Sequence, residues 1–284
     1  MSEPAGHTAP ESAPPRAGRL RGLVSTWPRR IGALVGSSVL AWAIGTYVPK
    51  LLDEGTKVAG LGPGVLAVDV VTDVDLIDDT KHPHNPEFVI AKPIEEIGPP
   101  PNGDDERGRY TWAHAQGGVD AWQSLVRFVV RGESGEPVIL MGLRVEVVER
   151  GPPVAGTLVT YFGQGAPAAV RYFEIDLGEE LPRAKFIGDD EQETTLFPFR
   201  VSSSELEIFD VVARSLRDDV SWRLQLDYVA KGKQGTTTID DGGKPFRTTA
   251  RHDVDFLDLA GSAGPPRQVA YGWLDGRWQA TSPG

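Results

Sequence analysis

Short stretches of period-two alternation, 33 Gly and 23 Pro residues, and one uncharged apolar run near the N-terminus predict a mainly β chain. The expected architecture is an immunoglobulin-like β-sandwich preceded by one N-terminal transmembrane helix. At 284 residues the chain has room for one large domain or two small ones. An apolar content of 40% is enough to bury a core. Cys is absent, which excludes disulfides, thiolate metal sites and Cys nucleophiles. A net charge of −11 argues against nucleic acid as a partner, since sequence-independent binding needs a basic surface.

The charge is unevenly spread. Residues 1–50 hold six basic and two acidic side chains, a net +4, and the rest hold 23 against 38, a net −15. Residues 1–30 read as a disordered basic tail, because the Pro, Ala and Ser before Arg16 bury too little surface to offset ordering entropy. Ile31 to Val48 is 18 residues without a charge, which as a helix covers about 27 Å. With Pro49 to Leu52 it makes a signal anchor over 31–52. Trp27 with Arg29 and Arg30 flanks one end and Tyr47 the other, as interfacial residues do. Five Arg precede the run within 15 residues, so the positive-inside rule puts the N-terminus in the cytoplasm and the larger part outside the cell membrane. Two competing readings are a cleaved signal peptide, since Ala41-Trp42-Ala43 fits a small-x-small cleavage site, and a buried helix. Ala33, Ser37, Ala41 and Gly45 recur every four residues, a small-residue face through which two helices could form a homodimer.

Gly55 to Gly64 carries four glycines and reads as part of a flexible stalk over 53–64. The external domain is then 65–259. Its expected strands are Val65–Leu76, Phe88–Ala91, Trp122–Arg131, Val138–Arg150, Thr157–Phe162, Val170–Asp176, Leu196–Val201, Glu207–Ala213, Ser221–Ala230 and Gly235–Ile239. Ile97 to Arg109 reads as a loop. Gly132 to Pro137 is turn chemistry, so the two long strands around it are expected to form a hairpin. Phe209 to Leu216 reads alternatively as a short helical turn, and two smaller sandwiches are the alternative to one. In the tail, 260–284, Asp275-Gly276 between Trp273 and Trp278 predicts a tight hairpin. Its aromatics either pack on the sandwich or form an exposed ligand platform.

One resemblance emerges from these residues. Val138-Ile-Leu-Met-Gly-Leu-Arg-Val-Glu-Val147, Arg150-Gly-Pro-Pro-Val-Ala-Gly-Thr157, Val170-Arg-Tyr-Phe-Glu-Ile-Asp176 and Trp222-Arg-Leu-Gln-Leu-Asp227 resemble a family of uncharacterised actinobacterial proteins. Gly235-Thr-Thr-Thr-Ile-Asp-Asp241 and Pro245-Phe-Arg247 extend the match, which covers about residues 120–250. The resemblance implies a membrane-anchored protein with a β-rich external domain; it carries no activity and no catalytic residues.

For chemistry, His82 and His84 with Asp78, Asp79 or Glu87 are the best metal-ligand candidates, a set suited to Zn²⁺; His114 and His252 are remote additions. Acidic clusters at Asp69 to Asp79, Asp189 to Glu193 and Asp240 to Asp258 suggest Ca²⁺. None of these has the Asp-x-Asp-x-Asp-Gly loop. No Gly-x-Ser-x-Gly, His-Glu-x-x-His, Ser-x-x-Lys or phosphate-loop motif occurs. A carboxylate pair such as Asp69 with Glu146 is the remaining route to glycoside hydrolysis. The expectation is a non-enzymatic binding or structural module without a cofactor, taking a protein or cell-envelope ligand. A cell-envelope hydrolase using acids or a metal is the alternative.

Overall fold

The chain divides into two units, Met1–Lys50 and Leu51–Gly284. The computed structural model describes residues 57–62, 64–77, 87–101, 108–160, 172–187, 193–194, 197–251 and 269–281, all in the second unit. The apolar run 31–48, with Ala33, Ser37, Ala41 and Gly45, lies outside the described residues. Among the described residues no helix is long and apolar enough to cross a membrane.

In chain order the first strands are β1 (Lys57–Gly62), β2 (Leu66–Val71), β3 (Phe88–Ile90), β4 (Gly118–Ala121), β5 (Gln123–Gly132) and β6 (Val138–Gly151). Next come β7 (Thr157–Val159), β8 (Tyr172–Asp176), β9 (Lys185–Ile187), β10 (Glu193–Thr194), β11 (Phe199–Val201) and β12 (Leu206–Arg214). The last are β13 (Asp219–Ala230), β14 (Lys233–Ile239), β15 (Phe246–Thr249), β16 (Ala270–Leu274) and β17 (Arg277–Thr281). A helix, α1 (Arg109–Ala115), precedes β4.

Two sheets form. The smaller runs β1-β2-β5-β12-β8-β9-β10, and the larger runs β11-β6-β13-β15-β4-β3-β7-β16-β17, with β14 also on β13. They stack as a sandwich because strand alternation points apolar side chains from both into one core. From the smaller sheet come Val68, Val126, Phe128, Ile175, Phe209 and Val211; from the larger come Leu140, Trp222, Leu224, Leu226 and Ile239. Trp222 is wholly buried, and its indole N–H donates to Thr248 Oγ1 at 3.0 Å. Ser124 on β5 meets the same hydroxyl at 2.7 Å, so the polar atoms that bridge the two layers are satisfied.

The larger sheet continues past this core. There α1 covers a second cluster of Phe88, Ile90, Ile97, Ala113 and Val159, with Trp112 and Trp278 against it. Asp275 and Gly276, both at positive φ, form the turn between β16 and β17, and Trp273 pairs with Trp278 across it. This hairpin belongs to the larger sheet, since β16 runs parallel to β7.

Several sequence expectations need correction. Trp122–Arg131 and Val138–Arg150 do not form a hairpin: β5 is in the smaller sheet and β6 in the larger. Both edges of β5 are taken, by β2 and β12, so β6 has no edge there to join. The turn at Gly132 to Pro137 carries the chain from one layer to the other. It is tied down by Glu133 N–H to Val65 O at 3.0 Å and Ser203 N–H to Ser134 O at 2.8 Å. The stalk segment 53–64 contains β1, antiparallel to β2. The strand expected over Val65–Leu76 stops at Val71, and a 3-10 turn covers Val74–Leu76. Phe209 to Arg214 is strand, not helical turn. Helix α1 has no counterpart among the expected elements. An immunoglobulin sandwich has seven to nine antiparallel strands; among the described residues the sheets have seven and ten. The β12–β8, β15–β4 and β16–β7 neighbours are parallel.

Candidate functional site

The outer face of the larger sheet is polar where β6, β13 and β14 lie side by side. Along β13, Trp222, Leu224 and Leu226 point into the core, so Arg223, Gln225 and Asp227 point out. Two rungs of side chains cross the three strands. In the first, Arg144 on β6 grips Asp227 with two hydrogen bonds of 2.7 and 2.8 Å, and Thr236 on β14 donates to Asp227 at 2.6 Å. In the second, Gln225 donates to Glu146 and accepts from Thr238 at 3.1 Å. Arg144 lies directly opposite Gln225 in the register. Each β6 side chain therefore leans diagonally to the next outward position of β13.

A cleft of about 500 Å³ opens at the end of the first rung, lined by Met141, Arg144, Asp227, Tyr228, Gln234 and Thr236, together with Val229 and Gly235. Its shape follows from an irregularity in the pairing. Asp227 opposes Gly142 and Tyr228 opposes Leu140, so Met141 is the extra residue of a β-bulge and stands half exposed. Gly235 on β14 faces Tyr228 on β13, whose ring packs against the core side of the sheet. A Cβ there would sit 2.5 Å from the phenol ring, so only glycine lets the ring lie flat against the strand.

Electrostatics favour the ionised pair. Hydrogen bonds from Arg144 hold the Asp227 carboxyl below its ordinary range, with Thr236 adding to the effect and partial burial opposing it. Arg144 is correspondingly raised by its bonds to Asp227. The Arg144 and Asp227 side chains remain 60% and 32% exposed, so the pair is open to a ligand.

The sequence-derived candidates fare differently. His82, His84, Asp78 and Asp79 lie outside the described residues, as does His252. Glu87 pairs with Arg251 at 2.9 Å, and His114 meets Asp120 at 3.0 Å. Among the described residues no group of three His, Asp or Glu side chains is arranged to hold a metal. Asp69 and Glu146 are not a pair. Val68 and Val70 point into the core beside Asp69, as do Val145 and Val147 beside Glu146, which leaves the two acids on opposite outer faces. Asp73 accepts from Thr111 at 3.2 Å; Asp240 caps Gly243 N–H at 2.7 Å and pairs with Arg223 at 3.3 Å. Trp278 is packed rather than displayed. It stacks on Trp112 at 6.0 Å, and its indole donates to Ile97 O at 3.0 Å.

Sequence reasoning missed Arg144, Asp227 and Thr236. The one local signal was Gly235 within a run of strand residues, which marks a close backbone approach. No protein-family model matches the chain, and no curated protein matches it either.

Proposed function

We propose that this protein is a single-pass, membrane-anchored, extracytoplasmic β-sandwich module that binds its ligand non-enzymatically through the outer face of its larger sheet. The observation that carries this reading is the state of the carboxylates beside the cleft. Asp227 is held by Arg144 and Thr236, and Glu146 accepts from Gln225. General acid–base chemistry needs a carboxyl poised to exchange a proton near the working pH, whereas Asp227 is pushed the other way. A rigid sheet carrying pre-oriented donors and acceptors suits recognition instead. The uncharged run 31–48 and the arginines before it support the anchor and its orientation.

The test is fractionation of cells that express the full chain, with protease applied to intact cells. The expected outcome is full-length protein in the membrane fraction, trimmed from outside down to about residue 55. Recovery of a soluble, full-length, protease-protected protein overturns the reading.

A further inference from the structure

We infer that the cleft beside Arg144 and Asp227 takes a neutral saccharide; the inference names the ligand class for the binding module proposed above and rests on that reading. Charge decides the class first. The two ionised liners neutralise each other at 2.7 and 2.8 Å, and the remaining liners, among them Met141, Tyr228, Gln234 and Thr236, are uncharged. An anion would meet the Asp227 carboxylate and a cation the Arg144 guanidinium, so neither finds an unopposed counter-charge.

Hydrogen-bonding capacity narrows it further. Arg144 uses two of its five N–H donors on Asp227. Asp227 Oδ1 takes bonds from both Arg144 and Thr236, while Oδ2 takes one from Arg144 and keeps a second lone pair. The Gln234 amide both donates and accepts. Adjacent hydroxyls on one ring, each donor and acceptor at once, match a guanidinium beside a carboxylate. The exposed Met141 thioether, standing out at the bulge, and Val229 give the C–H face of a sugar ring an apolar surface. A cleft of about 500 Å³ lies within the usual range for small-ligand sites.

The full chain, solubilised with its membrane segment, is applied to an array of neutral hexose, pentose and N-acetylhexosamine oligosaccharides alongside sulfated, phosphorylated and uronic-acid oligosaccharides. Asp227→Asn, Thr236→Ala and Arg277→Ala are compared with the wild type, the last lying on β17 away from the cleft. Melting curves select variants that fold as the wild type does, and Thr236→Ala serves if Asp227→Asn does not. The expected result is retention on neutral glycans, weakened at least tenfold by Asp227→Asn or Thr236→Ala and unchanged by Arg277→Ala. Retention on acidic glycans alone overturns the ligand class, and neutral binding indifferent to both cleft variants overturns the site. No retention on any neutral oligosaccharide overturns the inference while leaving the anchored module to the protease test, which uses no ligand.

Discussion

Two Arg–Asp pairs of the same chemistry stand in opposite surroundings. Arg127 and Asp210 lie directly across the β5–β12 ladder, joined at 2.6 and 2.8 Å. Arg144 and Asp227 are joined at 2.7 and 2.8 Å across the β6–β13 ladder. The first pair has side chains 8% and 9% exposed, the second 60% and 32%. Geometry is thus nearly constant while solvation changes completely. Burial makes each partner of the first pair costly to remove, because the other charge stays buried without its two short hydrogen bonds. Exposure makes the second pair almost irrelevant to stability, and so free to be used by a ligand.

The most direct way to break this comparison is to delete one acid from each pair. Asp210→Ala leaves Arg127 charged and buried, and should cost about 3–5 kcal/mol, read from urea denaturation as a large fall in midpoint with little change in slope. Replacing both partners, as Arg127→Met with Asp210→Leu, should recover much of that loss, since well-packed apolar residues often substitute for a buried pair without penalty. A double variant as unstable as the single would show that the cost lies in packing rather than in the buried charge.

The exposed pair should behave otherwise. Asp227→Ala and Arg144→Ala are each expected to change stability by no more than about 1 kcal/mol in the same titration. A loss as large as that of Asp210→Ala would make the cleft a structural feature and remove the reason for reading it as a site.

The same contrast governs how much was legible in the sequence. Half-buried strands announce themselves: β13 alternates Trp222, Leu224 and Leu226 inward with Arg223, Gln225 and Asp227 outward, and its extent is close to that expected from the pattern. Strand β5 is buried on both faces from Ser124 to Val130, so its pattern states that it is central but not which strands flank it. That is why the turn at Gly132 to Pro137 could be recognised while its consequence, a step between layers, could not. Helix α1 is seven residues long and held by Phe88, Ile90 and Val159 rather than by a helical period of its own. The cleft depends on a bulge at Met141 and on partners 83 residues apart; no local spacing encodes either.

The smallest expected effect is a pH dependence, and its sign follows from which state binds the proton more tightly. Asp227 has its carboxyl depressed in the folded protein, chiefly by hydrogen bonds from Arg144. Its contribution to stability is therefore fully present above the ordinary Asp range and is lost as pH falls through the depressed value. Glu207 acts in the opposite sense. Burial raises its carboxyl, and Glu205 raises it further, so it favours the folded state at low pH and that gain is lost as pH rises from the ordinary Glu range through the raised value. A Glu207→Gln background removes the upper effect and isolates the lower one. In that background, the stability difference between the protein that keeps Asp227 and its Asp227→Asn variant should be constant near neutrality and shrink below the ordinary Asp range. High salt should diminish it, because the pair is exposed. The Arg127–Asp210 contribution, shielded from solvent, should survive the same salt. Equal salt sensitivity of the two pairs would erase the distinction on which the assignment of the outer face rests.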